Sequence, residues 1–194
     1  MGKHGVTVSH CPVNIARRGR SLDSWPRYRA AGVNLALGSD TYPRDPIMNM
    51  RIASYAGKVV THDLFAAPAA EVFTAATLGG ARALGRDDLG RLAPGAKADV
   101  VVVDLGKLRI GPYRDPIRAL VQCGTGDDVE QVWVDGRVVV EGGRVVGVDE
   151  DRLLADAQRE AERLWATVPE WDWRRRTADE YSPASLPPLE TDLA

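Results

Sequence analysis

The stretch Val33-Asn34-Leu35-Ala36-Leu37-Gly38-Ser39-Asp40-Thr41 decides how the rest of the chain is read. An apolar run that ends abruptly at Gly-Ser-Asp reads as a buried strand carrying one carboxylate to its C-terminal mouth, the end at which barrel enzymes hold their chemistry. Toward the N-terminus, Gly5 to His10 alternates and stops at Cys11-Pro12, which predicts a second short buried strand ending in a turn. Between them, residues from about Ser21 to Ala31 place Leu22, Trp25 and Tyr28 at helical spacing, and Gly32 suits a C-terminal cap. Strand, helix and strand in one parallel sheet imply a right-handed crossover, so the loops Cys11 to Gly19 and Asp40 to Pro46 share one face. Cys11 and Asp40 are then neighbours in space.

Toward the C-terminus, Pro46 fits the first turn of a helix over Ile47 to Tyr55, and a second helix is expected from Pro68 to Leu78. Gly79-Gly80 supplies small residues for close helix contacts, Gly85 a stop, and Leu89 to Gly95 turn chemistry around a short extended piece. From Ala98 the period changes. Asp99 to Leu105, Val129 to Val134, Arg137 to Glu141 and Arg144 to Val148 read as strands, with Asp135-Gly136 and Gly142-Gly143 as hairpin turns of a meander. Asp149 to Trp165 is an amphipathic helix, capped by Asp149 or Asp151 and expected to pack on neighbouring elements. The tail from Pro169 has no regular period and is expected to be partly disordered, with Trp171 and Trp173 docking on the body.

These elements make an α/β chain, and the composition is that of a soluble globular protein: 194 residues with 44% hydrophobic content suffice for a sizeable core. A net charge of -2 favours neither nucleic acid nor an anionic membrane as partner. No apolar run approaches the roughly 18 residues of a membrane span. Cys11 and Cys123, far apart and without a signal-peptide pattern, read as reduced thiols of a cytoplasmic protein. The three histidines, His4, His10 and His62, form no His-x-His pair that could share a metal with Asp40.

Four blocks in order carry a resemblance: Gly5 to Pro12, Ala31 to Asp40, Ala75 to Gly85, and Leu89 to Asp99 with its Gly90-Arg91-Leu92-Ala93-Pro94-Gly95-Ala96-Lys97-Ala98-Asp99 core. Over roughly residues 5 to 165 the chain resembles the C-terminal part of a metal-dependent amidohydrolase of the cytosine deaminase and chlorohydrolase branch. The resemblance implies the last two strands and helices of a (β/α)8 barrel in residues 1–92. It further implies the C-terminal part of a composite β-sandwich in 93–148, a terminal helix in 149–168 and a tail in 169–194. It also implies hydrolysis of a non-peptide C–N or C–Cl bond of a small cyclic or heteroaromatic substrate by metal-activated water. Asp40 matches the aspartate that ends the eighth strand, both metal ligand and proton carrier. The metal implied is zinc, with iron or manganese as alternatives.

By the same match His10 faces the substrate pocket and Asn14 stands where the family's substrate-contacting pair lies, and Arg17, on the same loop, is expected to bind substrate by pairing with a carboxylate or phosphate. Without it, His10 reads as a turn histidine and Arg17 and Arg18 as a solvated basic loop. Where the family often carries Ser-Asn after the proline, this chain has Val13-Asn14. The family's first six strands and its histidine ligands have no counterpart in the sequence. One carboxylate falls short of the three protein ligands usual for catalytic zinc, and two strands cannot close a barrel. An unpaired strand edge then calls for a cover. Three expectations follow: a fragment of an amidohydrolase from a truncated or split reading frame, inactive alone; a subunit completed by a separately encoded N-terminal half; or a non-catalytic module that self-assembles into a homo-oligomer.

Overall fold

The computed structural model describes residues 1–186. Strands β1 (Thr7–His10) and β2 (Asn34–Leu37) pair in parallel, with Thr7 opposite Asn34 and His10 opposite Leu37. The Asn34 side chain locks this register by donating to the Thr7 hydroxyl at 3.0 Å and to the Gly79 carbonyl at 2.9 Å. The crossover carries two helices where one was expected. Residues after Cys11 form α1 (Pro12–Arg17) instead of the expected turn and loop. Pro12 at the first helical position loses no hydrogen bond, and Gly19, with φ 68°, turns the chain out of the helix. Helix α2 (Trp25–Ala30) is shorter than expected because the Ser24 hydroxyl caps it by accepting from the Arg27 N–H.

After β2, α3 (Pro46–Thr61) starts where Asp45 accepts from the N–H groups of Ile47 and Met48, at 2.8 and 3.0 Å. It runs well beyond Tyr55, because Ser54 and Gly57 continue its buried face: the Ser54 hydroxyl donates to the Ala67 carbonyl, and a Cβ at Gly57 would lie 2.7 Å from Ala67 Cβ. Helix α4 (Ala69–Thr74) passes through a π-helical turn, Ala75–Gly79, into α5 (Gly80–Ala83). The expected close contact is made at Gly79, where a Cβ would sit 2.1 Å from the Leu35 carbonyl oxygen. Gly85, at φ 65°, ends the helix.

Strands β3 (Val100–Val103), β4 (Val129–Val134), β5 (Arg137–Glu141) and β6 (Arg144–Val145) form an antiparallel sheet in sequence order. The two turns have positive φ at both central residues, Asp135-Gly136 and Gly142-Gly143, which matches the strand twist. Strand β6 is two residues long, shorter than Arg144 to Val148. Between β3 and β4 lies a helix that the periodicity did not reveal, α6 (Pro116–Cys123), capped by Asp115 through the Arg118 N–H. Its Val121 is fully buried.

One core joins these parts. Trp25, Leu35, Ile47, Met50, Ala53, Ala67, Val72, Ala75 and Val121 form a buried cluster, with Val8, Leu37, Leu120 and Val129 packed against it. Burying side chains such as Val72 and Val121 completely contributes about 2 kcal/mol each. Polar ties reinforce the packing. Arg51 of α3 donates to the carbonyls of Val121 and Gly124, and Asp45 accepts from the Gly126 N–H at 3.2 Å. Asp128, with no exposed surface, is gripped by Lys107 and Arg109. Burial alone would raise its pKa, but hydrogen bonds from Lys107, Arg109 and the Thr125 N–H hold it at about 2.

Met1–Val146 is one compact unit, and a second begins at Gly147. In the second, Asp149 caps α7 (Glu150–Ala166), followed by the short helices α8 (Val168–Trp171) and α9 (Ala178–Tyr181), where no period was visible. Trp171 packs edge-on to Tyr181, with centroids 5.6 Å apart, whereas Trp173 is 80% exposed beneath the Arg174 guanidinium. No buried residue lies on α7. The end of the tail expected to be partly disordered, residues 187–194, lies outside the described residues. Among those described, no helix is long and apolar enough to cross a membrane.

Candidate active face at the ends of the parallel strands

The C-terminal ends of β1 and β2 deliver Cys11 and Asp40 to the same place. Gly38 leaves the room between them: a Cβ there would come within 3.2 Å of Cys11 Sγ and 3.3 Å of Ser9 Oγ. Ser9, Cys11 and Gly38 therefore share one face. Burial and then the nearby Asp40 charge push the Cys11 thiol pKa up, so the thiol is kept protonated and is a poor nucleophile.

Asp40 is exposed at this mouth with φ 60°, a left-handed conformation that aspartate tolerates better than most residues. Its Oδ2 accepts a hydrogen bond from the Asn14 amide of α1, whose side chain is itself buried, at 8% exposure. Three residues further along α1, Arg17 donates to the Tyr42 carbonyl at 3.0 Å and to the Tyr42 hydroxyl at 3.2 Å. Its guanidinium lies 4.5 Å above the centre of the Tyr42 ring.

His10 takes the opposite side of β1. It alternates with Ser9 and meets Trp25 edge-on, with ring centroids 6.4 Å apart and planes at 63°. At 3% exposure it is desolvated, which pushes its pKa down to about 4 and leaves the imidazole neutral near pH 7. Its Nδ1 is buried without a hydrogen-bond partner.

The structure thus brings Asp40, Asn14, Arg17 and Cys11 together and sets His10 apart in the layer packed against the helices. Tyr42 as the partner of Arg17 was not legible in the sequence, although the Pro-initiated helix that aims Arg17 at it had a signal in Cys11-Pro12. Among the described residues, no group of three or more His, Cys, Asp or Glu side chains is arranged to hold a metal ion. The residues present therefore do not fit a complete metal site, and no metal-dependent step is assigned to this chain. Two surface hollows, of about 370 and 570 Å³, are lined by residues near Ser24 and near Arg118 and lie away from Asp40.

A carboxylate just beyond the C-terminal end of β2, beside a parallel partner and packed helices, makes an α/β scaffold with one polar face. The chain belongs to the amidohydrolase family, whose model matches residues 1–139. It is 37% identical over 163 residues to a 5-methylthioadenosine/S-adenosylhomocysteine deaminase of Pelotomaculum thermopropionicum, covering 82% of this chain and 38% of that protein. To a 5'-deoxyadenosine deaminase of Methanosarcina barkeri it is 34% identical, covering 87% of this chain and 40% of the other. Among solved structures it matches a zinc-bound adenosine deaminase from Xanthomonas campestris with a TM-score of 0.78 and 32% identity, over 83% of this chain and 38% of that one. A zinc complex of atrazine chlorohydrolase from Arthrobacter aurescens matches with a TM-score of 0.73 and 28% identity, over 81% and 36%. The chain thus spans about two fifths of the length of the curated relatives it matches.

Proposed function

We propose that these residues are the C-terminal part of a metal-dependent amidohydrolase, with β1 and β2 as the seventh and eighth strands of its (β/α)8 barrel and β3 to β6 as part of its sandwich. The position of Asp40 carries the reading. It follows β2 on the face shared with Ser9, Cys11 and Gly38, and its side chain is held by a hydrogen bond from the Asn14 amide. In that place a carboxylate takes a proton from the attacking water and passes it to the leaving group. The donors that complete the site lie outside this sequence, and the chain alone is inactive.

The reaction is the hydrolytic replacement of an amino or chloro substituent on a heteroaromatic ring. Water supplies the oxygen, and ammonia or chloride leaves. The deaminase names of these relatives favour an adenine-bearing nucleoside as the first substrate to try.

The test joins residues 1–194 to the preceding part of the Pelotomaculum thermopropionicum relative and measures ammonia release from 5'-methylthioadenosine with zinc added. Expected is zinc-dependent ammonia release that Asp40→Ala abolishes. A folded, zinc-loaded chimera that releases neither ammonia from the nucleoside nor chloride from atrazine would overturn the reading, as would full turnover in Asp40→Ala.

A further inference from the structure

Asn14 and Arg17 stand three residues apart on α1, so they share one helix face. Asp40 and Tyr42 stand two apart on the loop after β2. The pairs meet one to one: the Asn14 amide on Asp40 Oδ2, and the Arg17 guanidinium on the carbonyl, hydroxyl and ring of Tyr42. Both side chains would be free to take a ligand only by abandoning the loop. Asn14 is also too deeply buried to present its amide outward. Meanwhile Asp40 keeps a left-handed backbone, which aspartate adopts more readily than most residues and which contacts from its surroundings hold in place.

We propose that Asn14 and Arg17 are positioning residues: a two-point clamp by which α1 fixes the backbone and carboxylate of Asp40, with no contact to substrate. The geometry explains why the two types occur there. A primary amide can donate to one carboxylate oxygen and leave the other free for proton transfer, whereas a cation at position 14 would form an ion pair and hold the carboxylate in its charged form. Arg17 acts by its planar fork, which spans two acceptors on one residue while its face stacks on the ring, a geometry lysine does not reproduce. The inference rests on Asp40 being the reacting carboxylate, but the clamp itself can be measured without turnover.

The experiment follows trypsin cleavage of the Arg44–Asp45 bond in the full 194-residue chain under native conditions, with cleavage after Arg137 in β5 as internal reference. Native-state cleavage tracks the population of the opened loop. In Asn14→Ala and in Arg17→Met, cleavage at Arg44 accelerates about tenfold, the factor set by losing a hydrogen bond with one charged partner, while the reference is unchanged. Arg17→Lys does not restore the wild-type rate. Tyr42→Ala, at an exposed position, gives the same acceleration from the loop side and stands in if an α1 variant fails to fold. Unchanged cleavage at Arg44 in these variants would overturn the clamp.

In the active chimera, the α1 variants lower kcat about tenfold with KM within about twofold. A raised KM at unchanged kcat would make Arg17 a substrate contact instead. A chimera without turnover would count against the role of Asp40 and leave the cleavage result standing.

Discussion

The parallel pair β1–β2 and the meander β3–β6 are both built from strands of at most six residues, yet they close in opposite ways. In the meander β5 and β6 each meet the strand before them through a two-residue turn, while β3 joins β4 across the segment that carries α6, and the sheet order follows the sequence. The parallel pair is joined through residues 11–33 and, among the described residues, neither of its outer edges meets another strand. The meander is nearly self-contained and carries little chemistry. The parallel pair depends on helices, on a π-helical turn and on whatever completes its edges, and it holds the carboxylate. Parallel pairing sends both strand ends to one face and so gathers loops that antiparallel pairing would separate.

The sharpest way to break this contrast is at Asp40. In the active chimera Asp40→Ala is expected to lower turnover about a thousandfold, a loss typical of a removed proton carrier, with little change in the urea midpoint of unfolding. The next effect tests the dependence of the parallel pair on close packing. Gly79→Ala forces a methyl group into the Leu35 carbonyl and is expected to cost about 3 kcal/mol, whereas the adjacent Gly80→Ala meets nothing within 4 Å and is expected to be neutral or stabilising. Urea titrations of the two variants decide it; equal midpoints would sink the idea that the π turn is seated on β2.

A third test uses acid. His10 is neutral in the fold to about pH 4 but takes up a proton near pH 6.5 when unfolded, so its contribution is complete above pH 6.5 and lost as pH falls toward 4. That loss is about 3 kcal/mol. His10→Leu should flatten stability across this window. Asp128, held near 2, withdraws its contribution only below pH 3.8, so the two limbs are separable in urea titrations taken by pH. The smallest effect belongs to the meander: Gly136→Ala, at φ 78°, is expected to cost about 1 kcal/mol by thermal melting and to leave the parallel pair untouched.

The comparison also marks what could be read from residues alone. The meander was legible because alternation and Asp-Gly or Gly-Gly turns are local signals. Strand β2 and the position of Asp40 after it were legible from another local signal, an apolar run that stops at Gly38-Ser39-Asp40. Helix α1 was hidden because Pro12 reads equally as a turn and as a first helical residue, and only its packing under Asp40 decides between them. Helix α6 was hidden by its length, although Asp115-Pro116 is a cap followed by a helix-starting proline. The direction of the His10 ring depended on which face of β1 the helices cover, a tertiary fact that alternation cannot supply. Tyr42 was readable as a residue of the loop after Asp40 that could line a pocket, but its pairing with Arg17 was not, because that partner lies 25 residues earlier on an element not foreseen.

The guanidinium of Arg51 has a consequence for anyone who wishes to cut this chain. From α3 it seals the end of α6 by binding carbonyls 70 and 73 residues later, while Asp45, the cap of α3, holds the Gly126 N–H. A chain shortened to end between the Gly85 stop and residue 120 would leave Arg51 without its acceptors and Asp45 without the Gly126 donor, and would uncover Val72 beside the vacated place of Val121. The stretch that looks from its turns like a seam between two modules is therefore stitched across, and the first position at which the chain can be divided without opening its core lies after β6.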